Sequence, residues 1–133
     1  MLGDKIGEET GKVTGQRVLA TDGPPMVETS FQASGSLYGV SHMTIGTYQA
    51  TMRPDGTLYG EGQGVVMASD GGAATWKGSG LGKIGVGSAV SYRGAIYYQT
   101  AAPNLLRLNE VAAVFEYEVD GDGNTIGRVW EWE

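Results

Sequence analysis

The sequence has no cysteine, which excludes a disulfide framework, a thiolate metal site and thiol catalysis. Its one histidine, His42, excludes a multi-histidine metal centre. Basic residues are scarce: nine Lys and Arg against 15 Asp and Glu leave a net charge of −6, too few cations to coat a phosphate backbone, so nucleic acid is not an expected partner. Long apolar runs are missing as well. The longest, such as Val111–Phe115, have strand length, well short of the ~20 residues a membrane helix needs. The start, Met1-Leu-Gly-Asp-Lys-Ile-Gly-Glu-Glu-Thr10, is charged where a secretory signal is apolar. A cytoplasmic protein without a membrane partner is the expectation. A phosphate loop is absent too: Gly78, Gly80, Gly82 and Lys83 lack the required spacing, and Ile84 stands where a Ser or Thr would hold the metal. No metal or other cofactor is expected.

What the chain has is glycine, 23 of 133 residues, within a 41 % hydrophobic composition that can support a core. The length suits one domain, 1–133, with residues 1–10 as candidates for disorder. No sustained 3.6-residue period is present, whereas period-two alternation recurs throughout. Gly11–Ala20 is β-prone. Asp22-Gly23-Pro24-Pro25 breaks it, since proline cannot donate to a ladder. Val27, Thr29, Phe31, Ala33, Gly35 and Leu37 then alternate with polar residues. Strands follow at Val40–Arg53, Thr57–Ser69, Ala73–Leu81, Ser88–Ala101, Asn109–Val119 and Ile126–Trp132, with a bulge expected near Arg93-Gly94. Turns fall at Pro54-Asp55-Gly56, Asp70-Gly71-Gly72, Gly85–Gly87 and Asp120–Asn124. Only Pro103–Leu108 suits a helical turn.

Eight strands joined by tight turns make an up-and-down antiparallel meander, which closes into a barrel or splits into two sheets. Gly60, Gly62 and Gly64, and again Gly78, Gly80 and Gly82, lie two apart and so share a face. Such stripes permit strong coiling and leave space beside the strand, which favours the closed barrel. A flat sandwich would pack poorly there.

Candidate chemistry is sparse. Asp120, Asp122, Asn124 and Glu131 imitate part of a calcium loop, but Thr125 occupies the position that needs glycine and the flanks are strands, so a hairpin turn is the reading. His42 shares a face with Thr44 and Tyr48 and is either a satisfied polar group or an acid–base residue. Ile126, Arg128, Trp130 and Trp132 share a face, and two Trp should turn it inward, giving a cavity an aromatic wall and one fixed donor. The plainer alternative places Arg128 at the rim against a Glu. Glu28 with Gln32, and Glu61 with Gln63, lie on polar strand faces; if either face lines the lumen, its carboxylate is a candidate partner for Arg128, and otherwise these residues are ordinary surface.

The run Leu58-Tyr-Gly-Glu-Gly-Gln-Gly-Val-Val66, then Asp70-Gly71 and Ala74-Thr-Trp-Lys-Gly78, resembles a bacterial group of small domains of unknown function among the allene oxide cyclase-like barrels. So does the end of the chain: Leu105 and Leu108, then Phe115-Glu-Tyr-Glu-Val-Asp120, Gly123-Asn124 and Trp130-Glu-Trp132. The similarity spans roughly residues 30–133. It implies a calycin-like, eight-stranded antiparallel barrel. Relatives of that shape include a plant fatty-acid epoxide cyclase and bacterial spirotetronate cyclases, which place an Arg and a Trp in their cavity.

The leading expectation is a barrel holding an apolar or amphipathic molecule, with Arg128, Trp130, Trp132, Glu28, His42 and Tyr48 as candidate binding residues. One alternative is a cyclase or isomerase confining a lipid- or polyketide-like substrate. Another is a structural barrel with a filled core. Leu108, Ala112 and Val114, on a face with Glu110 and Glu116, suggest a homo-oligomer.

Overall fold

A computed structural model describes residues 2–133. The strands are β1 (Leu2–Ala20), β2 (Met26–Leu37), β3 (Val40–Met52), β4 (Leu58–Ala68), β5 (Ala73–Ile84), β6 (Val90–Thr100), β7 (Ala112–Val119) and β8 (Asn124–Trp132). Each pairs antiparallel with the next, and β1 pairs with β8, so the sheet closes into an eight-stranded barrel without a free edge. That closure settles barrel over sandwich, and a helix content of 8 % agrees with the missing 3.6-residue period.

Two details depart from the pattern read in the sequence. Residues 2–10, candidates for disorder, form the first half of β1 and pair with β8. The bulge expected near Arg93-Gly94 is absent, since β5 and β6 run in continuous register through Gly80↔Gly94. Gly94 is needed for another reason: a Cβ there would stand 2.0 Å from the Ser79 carbonyl oxygen. The irregularities lie in β1, with register shifts at Val13/Gly15 and Val18/Ala20 against β2. These let one long strand coil across two partners.

The inner face follows period two. Phe31, Ala33 and Leu37, then His42, Thr44 and Gly46, then Leu58, Val66 and Ala68 are all buried. The glycine stripes point inward as well, pairing Gly60 with Gly80 and Gly62 with Gly78. Large rings occupy much of the space left beside them. A Cβ on Gly64 would meet the Trp76 indole at 2.4 Å, and one on Gly82 would meet Tyr92 at 2.6 Å.

One mouth is closed by a 3-10 segment, Pro103–Glu110, hereafter the cap. Its Leu105 and Leu108 are three apart, the spacing that a 3-10 turn stacks on one side. They are 1 % and 0 % exposed and pack with Ile6, Leu37, Val66 and Ala74. Leu108 is therefore spent inside its own chain and is not part of a subunit interface, contrary to the face proposed from sequence. A second cluster, centred on Phe31, Tyr92 and Tyr117, fills the opposite half of the barrel.

Candidate functional site

Between the two clusters lies a cavity of about 100 Å³. Gly60, Gly62, Gly78 and Gly80 form a side-chain-free stretch of its wall. Tyr48, Trp76, Tyr92, Tyr98, Phe115 and Tyr117 supply aromatic rings around the rest. Phe31, Tyr48 and Tyr117 are in mutual ring contact, with centroids 5.3–6.1 Å apart. Burial raises the phenol pKa of Tyr48, Tyr92, Tyr98 and Tyr117, so these hydroxyls stay neutral.

Glu9 is a carboxylate on the inner side of this wall. It lies on the inner face of β1, over Gly127, where a Cβ would come within 3.4 Å of its Cγ. His42 Nε2 lies 2.9 Å from Glu9 Oε2, and the Thr44 hydroxyl donates to the same oxygen at 3.0 Å. With Glu9 ionised, the imidazole nitrogen is the donor. His42 is 8 % exposed, and its Nδ1 has no hydrogen-bond partner. A carboxylate beside an imidazole in an aromatic, water-poor lumen can accept a hydrogen bond, hold a cation or exchange a proton.

Of the residues singled out from sequence, His42 and Tyr48 are in the lumen. The inward orientation assigned to the face of residues 126–132 is corrected. Thr125, Gly127 and Glu131 are the buried residues of β8, while Ile126 is 37 % and Trp132 64 % exposed. Trp130 shares the Trp132 face. Arg128 borders the cavity along its strand, but its Nε lies 3.9 Å from the Glu8 carboxylate, beside the outer face. Glu28 also points outward, 3.3 Å from Arg17, and is no partner for Arg128. Glu61 accepts a hydrogen bond from the exposed Tyr59. Sequence reasoning missed Glu9, Trp76, Tyr92, Tyr98 and Tyr117. Gly7, Glu9, Gly11 and Val13 form an inward face, but a strand begun at Gly11 leaves Glu9 out.

A second polar cluster ties the cap to the barrel. Arg107 grips the buried Glu131 with two hydrogen bonds, 2.7 and 3.1 Å, and the Tyr38 hydroxyl donates to Glu131 at 2.5 Å. The Arg107 guanidinium holds the Glu131 carboxyl below its ordinary range. Burial and the neighbouring carboxylate push the Tyr38 phenol up to about 12. These groups satisfy one another, so the cluster reads as a tether. Glu131 stands at the opposite end of β8 from Asp120, whose carboxylate instead accepts from the backbone N–H of Asp122 and Asn124 in the hairpin. Among the described residues no group of three or more His, Cys, Asp or Glu is placed to hold a metal. No helix among them is long and apolar enough to cross a membrane.

These features define a small closed antiparallel β-barrel with an aromatic-lined lumen, and known structures of that shape exist. No protein-family profile and no curated protein matches the chain. A protein of unknown function from Clostridium acetobutylicum superimposes with a TM-score of 0.84 at 12 % identity, over 96 % of both chains. A conserved protein of unknown function from Rhodopseudomonas palustris gives 0.83 at 13 % identity, over 98 % of this chain and 97 % of that one. An enzyme from Penicillium herquei gives 0.66 at 13 % identity, over 98 % and 96 %. At these identities the likeness concerns the fold alone.

Proposed function

We propose that this chain is a small-molecule binding barrel of the allene oxide cyclase-like, calycin-like kind, and that its lumen takes a compact amphipathic ligand. The cavity carries this reading: about 100 Å³ of space lined by aromatic rings, glycine backbone and the inward-facing Glu9, with Glu8, Glu61 and Glu116 also bordering it. Drug-sized ligands occupy ~300–1,000 Å³, and a dry cavity of ~150 Å³ accepts benzene. The volume therefore favours a single ring or a short chain over the lipids and polyenes suggested by resemblance. A filled structural barrel would leave no such space.

Trp76 lines the cavity, whereas Trp130 and Trp132 do not, so Trp76 is the natural reporter. In a Trp130→Phe/Trp132→Phe variant, one-ring compounds are expected to quench or shift its emission at micromolar to millimolar concentration. If none of a chemically varied panel does so, the lumen-binding reading is lost.

The Glu9–His42 pair favours a second reading, an isomerase or cyclase that confines a small substrate while the carboxylate moves a proton. Turnover of bound compounds, abolished in Glu9→Gln while binding persists, would separate it from simple binding. Self-association belongs to the same proposal, on a different face from the one read in sequence. Met43, Ile45, Val65 and Met67, each 41–48 % exposed, form an apolar patch across β3 and β4 that a second copy would cover. Light scattering that gives a 14.0 kDa monomer at micromolar concentration counts against it.

A further inference from the structure

We propose that the lumen selects a cation: a small protonated amine with an apolar body, its ammonium group paired with the Glu9 carboxylate. The inference rests on the lumen-binding reading and adds the charge of the ligand. Both donors to Glu9, His42 Nε2 and Thr44 Oγ1, engage the same oxygen, Oε2. Oε1 takes no hydrogen bond and yet is not among the buried unpartnered atoms, so it remains open to a donor. The Glu9 side chain retains 21 % of its accessibility and lines the cavity.

Among the described residues no Lys or Arg answers this carboxylate. Arg128 is the one Lys or Arg that borders the cavity, and its guanidinium lies beside Glu8. Lys5, Arg17, Arg93 and Arg107 pair with other carboxylates outside the lumen, and the remaining basic residues are exposed. His42 is the one cationisable group in contact with Glu9, and it donates equally well as a neutral imidazole. A carboxylate held in an aromatic chamber without a Lys or Arg beside it is stabilised by a cation supplied from outside. Tyr48, Trp76, Tyr92 and Tyr117 line the same cavity, and an aromatic ring attracts a cation that reaches its face. An acid would meet Glu9 as a like charge, so the acidic ligand implied by an inward Arg128 is disfavoured.

The test is a matched series of one-ring compounds, benzylamine, benzyl alcohol and benzoate, titrated into the full chain by calorimetry and by Trp76 emission. Benzylamine is expected to bind about tenfold or more tightly than benzyl alcohol, the span that one charge-assisted hydrogen bond contributes, and benzoate weakest. Glu9→Gln keeps an acceptor for His42 and Thr44 while removing the charge. It is expected to erase the amine preference, bringing the amine and alcohol affinities within about threefold of each other, below half a decade. Equal or tighter binding of the alcohol or benzoate to the wild-type protein overturns the proposal and leaves lumen binding intact. So does an amine preference that survives in Glu9→Gln. If no compound of any charge binds, the lumen-binding reading fails and this inference falls with it. The wild-type comparison decides the matter even where the variant does not fold.

Discussion

Gly64 has no room for a methyl group, because the Trp76 indole stands where its Cβ would be, at 2.4 Å. Gly64→Ala is expected to cost ~1–3 kcal/mol, the usual penalty for overpacking a filled core. Gly15 is the contrasting case. Nothing lies within 4 Å of its Cβ position and its φ is not left-handed. Gly15→Ala is expected to leave stability unchanged or raise it by ~0.4–1 kcal/mol by restricting the unfolded chain. Denaturant unfolding of both variants checks the pair; equal effects would mean the stripe is not a ring socket. The stripe itself was legible, since a spacing of two fixes a shared face. Which face points inward was legible in β2, where Phe31 and Leu37 alternate with Ser and Gln. It was misread in β8, because the inner face there carries Gly127 and Glu131 rather than Trp130 and Trp132. Gly127 is small because Glu9 lies over it, and Glu131 is buried because Arg107 and Tyr38 satisfy it. Both reasons reside in other strands and loops, so no pattern within β8 could carry them.

The cap shows how a short element is held by few residues. Leu108 is fully buried beneath it, and Leu108→Ala is expected to cost ~2–5 kcal/mol, as for other large-to-small changes in cores. Arg107→Ala removes the tether while leaving the leucines in place. Its expected effect is a smaller fall in melting temperature together with faster backbone hydrogen exchange in the cap. A fall larger than that of Leu108→Ala would reverse the assignment of anchor and tether. The tether also sets an acid limit. The folded pKa of Glu131 is depressed, so its contribution is complete above its unfolded value near 4.5 and disappears as pH falls through the folded value. Asp55, Asp70 and Asp120, which accept hydrogen bonds in their turns, act in the same direction. Thermal melts from pH 7 downward should therefore be flat until about pH 5 and then fall. In Arg107→Ala that fall should be shallower; an unchanged profile would remove Glu131 from the account. The cap is legible in the sequence as a helical turn after Pro103, whereas the start of β1 before Gly11 is not. Gly3 and Gly7 lower the strand propensity there, and the pairing with β8 overrides it.

For the molecule as a whole, closure was readable from strand count, turn spacing and glycine stripes, whereas the chemistry of the lumen was not. Glu9 on β1 and His42 on β3 lie on either side of Gly35, the β2 residue with which both pair, so their contact depends on two registers that no single strand's pattern shows. The lumen also predicts an alkaline limit. Burial raises the pKa of Tyr92, Tyr98 and Tyr117 above the unfolded value of 10, so their stabilisation is complete below pH 10 and is lost as pH rises toward their folded values. Phenolate absorbance from these tyrosines should appear late and together with loss of the far-ultraviolet β signal. Ionisation of all seven tyrosines near pH 10 with the β signal intact would contradict their burial. The closing ladder has a consequence for folding. Seven of the eight pairings join strands that follow one another in the chain; only β1–β8 joins partners such as Glu8 and Arg128, separated by nearly its whole length. Loop closure makes that ladder the costliest to nucleate, so it zips last on folding and parts first under stress. Once parted, the molecule is an open sheet with two bare edges, and the nearest match for either edge is the opposite edge of another copy. One seam therefore separates the closed barrel from strand exchange between chains.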